Sequence, residues 1–350
     1  MVILFKLSVF PAEKKVIKIG ILLPGDSLES SNIIAGANAA IEEFNKREGF
    51  ELQTLTKAHS NQWGQEADEA VEMLFKDGAC GLIAPSSGTV SHLLFQVAGR
   101  TRMPSVSLCS DLSVTGATIP WCLRIAPTTV EEIDAVVKIL RLKGCSISNC
   151  VLFAPTGRAG REIEADVERA AKLNSLSVKR VVQIDPAKNM DTNAVRKALQ
   201  SRIDCALIWL PHSSAIQVME ELNNTKFHGT IVVSSRLLSN DFVRQSAKLS
   251  NMVCVATVLL EDIYGNQSEV MLDNMSPAKQ SYISILAHDA VLLLAEHLST
   301  CDELHPHIGF PPRNGVHGWT GDMIFSKNGD RITKLLVWKV EEGKLVKIRE

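Results

Sequence analysis

Three hundred and fifty residues correspond to about two domains at ~150 residues each, enough chain to bury sizeable cores. Hydrophobic residues make up 45% and charged residues 22%, which excludes a disordered tail, a collagen-like fibre and a disulfide-stapled module. With 37 Lys and Arg against 39 Asp and Glu, the net charge of -2 leaves no surplus of cations to displace counterions from phosphates. Nucleic acid is therefore excluded as a partner, and a small or uncharged one fits better.

The chain opens on Val2-Ile3-Leu4-Phe5 and Leu7-Ser8-Val9-Phe10, divided by Lys6. Residues 1–15 read as an ordinary extension, as the remnant of a truncated signal, or as a working signal with a poor cleavage context in Pro11-Ala12-Glu13. Beyond them the apolar runs are broken well short of the ~20 residues that cross a bilayer, so contact with a membrane is peripheral at most.

From residue 16 short β-branched runs alternate with longer amphipathic stretches, the pattern of strand-helix-strand units and a mostly parallel sheet. A strand over 16–23 is followed by Ile33, Ala37, Ala40, Ile41 and Phe44 at helical spacing, with Gly49 as the stop. Next come a strand over 51–56, a helix through Ala67, Ala70, Val71, Leu74 and Phe75, a strand over 80–84 and a helix over 90–98. Strands over 104–108 and 121–125 close this first array before Pro127. A second array then starts, with helices over 130–142, 161–173, 192–199 and 214–222 between strands over 150–154, 178–184, 205–210 and 230–233. The strand over 252–258 leads into a loop over 261–277 and a long apolar helix over 282–298, whose His288 reads as a satisfied core or surface histidine. At the end the period changes to two: 319–325, 332–340 and 344–348 alternate like antiparallel strands around turns at 327–330 and 341–343.

Eight cysteines are an even number, yet Cys80, Cys150, Cys205 and Cys254 sit beside or inside apolar strands, where a free thiol acts as a small hydrophobe. Cys301, His305 and His307 have donor spacing, but Pro306 and the loop-like setting make this a coincidence, so no metal and no cofactor is expected. The first strand is not followed by Gly-x-Gly-x-x-Gly, and there is no Walker loop, Gly-x-Ser-x-Gly elbow or His-Glu-x-x-His. No catalytic residue is expected. A two-lobed nucleotide-sugar transferase, which shares such an architecture, is the enzymatic alternative.

Several strings carry a family likeness in their order and spacing. They include Ile17-Lys18-Ile19-Gly20-Ile21-Leu22-Leu23-Pro24-Gly25, Gly36-Ala37-Asn38-Ala39-Ala40-Ile41, Leu82-Ile83-Ala84-Pro85-Ser86-Ser87 and Met103-Pro104-Ser105-Val106-Ser107. Arg124-Ile125-Ala126-Pro127, Ala287-His288-Asp289-Ala290 and Gly315-Val316-His317-Gly318-Trp319-Thr320-Gly321 continue the series. Over about 16–348 the chain resembles type I periplasmic solute-binding proteins, the leucine/isoleucine/valine-type receptors of ABC transporters. That resemblance implies an α/β fold of two doubly wound parallel-sheet lobes joined by three hinge crossings, near Ala126, Thr257 and Phe325. Lobe one would take 16–126 plus 257–325, and lobe two 127–256 plus 326–350. It also implies a periplasmic or extracytoplasmic place, a small-molecule solute gripped by hinge closure, and an ABC transporter permease as partner. A ligand-sensing lobe that signals to another protein is the alternative within the same fold.

Parallel sheets bind ligands at the carboxyl ends of their strands. Ser86-Ser87-Gly88-Thr89 and Ser110-Asp111-Leu112-Ser113 follow the third and fourth strands and place hydroxyls and free N–H groups at one rim, suited to a carboxylate or carbonyl oxygen. The matching family loops hold an amino-acid carboxylate, so Ser86, Ser87, Thr89, Ser110 and Asp111 are candidate ligand groups; the plain alternative is that they cap their helices. Here the sequence departs from the family: Gly88 stands where a serine is expected and Ala159 where an aromatic is expected. His212 matches the next wall position, and Arg236 replaces an acidic residue that would hold a ligand ammonium. An arginine there favours carboxylate or phosphate, so an anionic or hydrogen-bond-accepting solute clamped by Arg236 is expected. Trp63 reads as a cleft-edge aromatic or an ordinary loop tryptophan.

Overall fold

The computed structural model describes residues 14–25, 27–58, 64–145, 147–247, 253–258, 260, 263 and 267–349. The N-terminal segment 1–13, Trp63 and most of the stretch 259–266 lie outside the described residues.

In the first lobe five parallel strands pair in the order β2-β1-β3-β4-β5: β1 (Lys15–Leu23), β2 (Phe50–Ala58), β3 (Gly81–Ala84), β4 (Ser105–Ser107) and β5 (Cys122–Arg124). Alternation along β1 sends Ile17, Ile19 and Ile21 to one face and Leu22 to the other, and both faces are covered, as a parallel sheet requires. Helices α2 (Gln65–Phe75) and α3 (Gly88–Thr101) bury Met73, Leu74, Leu94 and Phe95 against the Leu22 side. On the isoleucine side lies α1 (Ser27–Phe44).

The second lobe is an eight-stranded sheet. Parallel strands β6 (Asn149–Pro155), β7 (Ser177–Ile184), β8 (Cys205–Ile208), β9 (Thr230–Val233) and β10 (Val253–Val258) are extended on one edge by β11 (Glu269–Val270), β15 (Leu335–Glu341) and β16 (Lys344–Lys347), all antiparallel. Helices α4 (Thr129–Leu142) and α5 (Gly157–Leu173) cover the face that carries Cys150, Leu152, Cys205 and Cys254. The opposite face is covered by α6 (Thr192–Ala198), α7 (His212–Asn224) and α8 (Asn240–Ser246).

Helix α9 (Tyr282–Thr300) is long and apolar enough to cross a membrane, but 83% of that window is buried inside the fold. It returns to the first lobe and lies along α1, where Gly36 allows the two backbones to touch. His288 is fully buried: Nδ1 lies 2.9 Å from Asp289 Oδ1, Nε2 lies 3.1 Å from Glu43 Oε2, and the ring stacks on Trp319.

The expected strand over 332–340 is two strands in different sheets. A small sheet of β12 (Val316–Gly318), β13 (Gly321–Phe325) and β14 (Arg331–Ile332) ends just before Thr333, and β15 joins the second lobe two residues later. An isolated bridge between Arg124 and Asp330 fastens the small sheet to the edge of the first. Strand partnership thus carries the chain from one lobe to the other after β5, again between β11 and α9, and finally at 333–334. β10 and β11 keep partners in the second sheet past Thr257, and β14 keeps its partner in the small sheet past Phe325.

Candidate functional site

Helix starts from both lobes converge on one cleft. Ser87 caps α3, accepting a hydrogen bond from the Val90 N–H at 3.4 Å. Asp111 caps the 3-10 turn Leu112–Thr115, its Oδ1 accepting from the Ser113 N–H and hydroxyl, each at 2.8 Å. Thr128 and Glu131 form a reciprocal capping box at the start of α4, which sets Thr129 on the cleft wall. Between the lobes lies a cavity of about 230 Å³, lined from the first by Ser86, Ser87, Gly88, Ser110 and Asp111. Pro155, Ala159, Glu162, Asp166, Trp209 and Arg236 are among its walls from the second. That volume is below the ~300–1,000 Å³ usual for drug-sized ligands, so the space suits a small solute.

Of the residues singled out by sequence, Ser86, Ser87, Ser110, Asp111 and Arg236 meet at this cavity. Thr89, in the first turn of α3, and His212, at the start of α7, stand outside its lining. His212 belongs to a smaller neighbouring recess, where its Nε2 lies 3.1 Å from Asp241 Oδ2. Cys301, His305 and His307 do not converge: among the described residues no group of three or more His, Cys, Asp or Glu is placed to hold a metal. All eight cysteines are free thiols.

Glu29, in the first turn of α1, was not legible as a site residue and organises the rim. One carboxylate oxygen accepts both the N–H and the hydroxyl of Ser86, at 3.0 and 2.5 Å. The other accepts from Arg236 Nη2 at 3.0 Å, an ion pair from one lobe to the other. Arg236 therefore does not face the cavity as an uncompensated cation. A second contact across the cleft is the Leu112 N–H donating to Asp166 Oδ2 at 3.3 Å.

Gly88 and Asp111 explain each other. A Cβ on Gly88 would stand 2.5 Å from Asp111 Oδ2, so the serine expected there would collide with the carboxylate that occupies this corner. Oδ2 is buried and finds no hydrogen-bond partner, although His92 Nε2 lies 3.4 Å away. Burial raises the Asp111 pKa, but the His92 ring and the Ser113 N–H and hydroxyl outweigh it and hold the carboxyl below its ordinary value. Asp166 is shifted the other way, upward, chiefly by burial. Trp209 is 3% exposed and its indole N–H also lacks a partner.

Arg236 owes its position to Glu132 of α4, which accepts from the Ser235 N–H at 3.1 Å and the Ser235 hydroxyl at 2.7 Å. Burial pushes the Glu132 carboxyl up to about 8 against the lowering effect of those bonds. An acid with a raised folded pKa keeps its proton longer in the folded state. Its contribution to stability is complete below the unfolded value of ~4.3 and is lost as pH rises through the folded one. Between about pH 5 and 7.5 the unfolding free energy of the wild type is expected to fall more steeply than that of Glu132→Gln, by up to ~1.4 kcal/mol per pH unit. Urea titrations across that range measure both slopes, and equal slopes would show that Glu132 titrates alike in the folded and unfolded chain.

Comparison with known proteins places this geometry. No curated protein matches the sequence. Among solved structures, the leucine binding protein LivK from Thermotoga maritima superposes with a TM-score of 0.80 at 16% identity, over 95% of this chain and 97% of that one. LivJ from Streptococcus pneumoniae, a branched-chain amino acid transporter substrate binding protein in complex with isoleucine, gives 0.79 at 14% identity, over 95% and 100%. A solute binding protein of an ABC transporter from R. palustris, in complex with benzoate, gives 0.80 at 12% identity, over 95% of each chain. These likenesses establish the α/β two-lobed fold. A family model described as periplasmic binding protein matches residues 16–306, and with most of the chain inside that match the protein belongs to the periplasmic binding protein family.

Proposed function

We propose that the protein captures a small polar solute, an amino acid, amide or organic acid, between its two lobes outside the cytoplasm and presents it to an ABC transporter permease, without transforming it. The reading rests on one observation above all: the cavity lies at the carboxyl ends of strands from both sheets and is walled by polar groups of each lobe. Ser86, Ser87, Ser110, Asp111 and Arg236 are its proposed contact residues, with Thr89 and His212 at its margin. Closure about the passages between lobes would join the walls around the guest, as the Glu29–Arg236 pair already does in part.

Native mass spectrometry of freshly purified protein is expected to reveal a co-purified solute. A solute at a hundredfold excess over its dissociation constant should raise stability by about 2.7 kcal/mol. A broad panel of amino acids, amides and organic acids with no bound species and no thermal shift would remove the basis for this reading.

A further inference from the structure

Charge in the cavity is unevenly distributed. Three carboxylates line it, on Asp111, Glu162 and Asp166, against one guanidinium, Arg236. Two of these four groups have a close charged partner: Arg236 is held by Glu29 at 3.0 Å, and Glu162 by Arg158 Nε at 2.6 Å. Asp166 has Arg169 at 3.4 Å, but that guanidinium is mostly exposed and screened by solvent. Asp111 Oδ2 has no hydrogen-bond partner, and its charged neighbour is the His92 ring, with Nε2 at 3.4 Å, cationic only when protonated. The uncompensated charge is therefore negative and sits where Asp111 of the first lobe caps the turn that Asp166 of the second lobe grips through the Leu112 N–H.

An anionic guest would have to approach these carboxylates in a partly desolvated space, where like charges repel strongly. A cationic nitrogen would satisfy them. The indole N–H of Trp209, nine-tenths buried on the second-lobe wall and unpartnered, calls for an acceptor on the same guest.

We propose that Asp111 and Asp166 form a cation-receiving pair, so that the solute is an amine-bearing molecule whose positively charged nitrogen lies against the first-lobe turn while an acceptor meets Trp209. This rests on the reading of the cleft as a solute site and specifies which end of the solute each wall takes. It also replaces the expectation of an anion clamped by Arg236, whose charge Glu29 already neutralises.

The test uses the intact chain and matched skeletons: benzylamine, benzamide and benzoate, and 4-methylpentylamine, 4-methylpentanamide and 4-methylpentanoate, compared by calorimetry. The amine of at least one series is expected to bind at least tenfold more tightly than its carboxylate. Asp111→Asn, which keeps an oxygen to cap Ser113, should weaken the amine at least tenfold while leaving the carboxylate equal or tighter. Asp166→Asn serves as the second variant, and the melting temperature of each unliganded variant shows that it folds. Carboxylates that bind as well as or better than the amines, or an amine affinity unmoved by both variants, would overturn the cation site while leaving a solute receptor intact. Binding of none of the six, with no co-purified solute by native mass spectrometry, would overturn both.

Discussion

Replacing Gly36 with alanine is expected to destabilise the protein by at least about 3 kcal/mol, although the same change in an exposed helix would stabilise it by ~1 kcal/mol. The added Cβ would stand 1.9 Å from the Ser284 carbonyl oxygen and 3.0 Å from the His288 nitrogen, both backbone atoms of α9 that cannot rotate away. Relief requires the two helices to part, which opens the layer where Ile33, Ala37 and Ala40 pack beside Ile283, Ala287 and Val291. Since α1 also carries Glu29, the displacement should reach the cleft as well. Urea denaturation of the wild type and Gly36→Ala gives the difference directly. An unchanged or higher midpoint would mean that the helices do not touch here.

Asp330→Ala is expected to cost about 3 kcal/mol or more, the usual result of stranding one partner of a buried ion pair. Arg124 is 2% exposed, and its Nη2 donates to Asp330 Oδ1 at 2.8 Å. Its Nε already lacks a partner, and Nη1 reaches only the Asp111 carbonyl, at 3.4 Å. Without Asp330 the guanidinium would stay in the core with that carbonyl alone. Exchanging both residues, Arg124→Met with Asp330→Ala, should recover much of the loss, because the cost comes from the unpaired charge and not from the missing contact. A loss below about 1 kcal/mol for the single variant, or a double variant no better than the single, would contradict this account.

Alternating β-branched runs and amphipathic stretches made the order of elements readable, because a two-sided parallel sheet leaves near-continuous apolar strands between helices of one apolar face. Boundaries were less legible, and the site suffered for it. Ser27–Asn32 carry few apolar residues, so periodicity started α1 at Ile33 and hid Glu29 in the turn before it. Gly157-Arg158-Ala159-Gly160 has loop composition yet forms the first turn of α5, which hid the register that brings Glu162 and Asp166 to the cleft. The serine-rich loops were found because hydroxyls after a strand are a local signal. The exchange between Gly88 and Asp111 is not local: each residue alone reads as a missing hydroxyl and a helix cap, and only their contact shows one excluding the other. Likewise Arg236 read as a cation, since nothing near it in sequence announces a carboxylate 207 positions away.

The link between Glu29 and Arg236 also bears on how the two lobes part. Because the pair joins the lobes at 3.0 Å, any motion that separates them at this point must first break it, and replacing either side chain would shift the balance toward separated lobes.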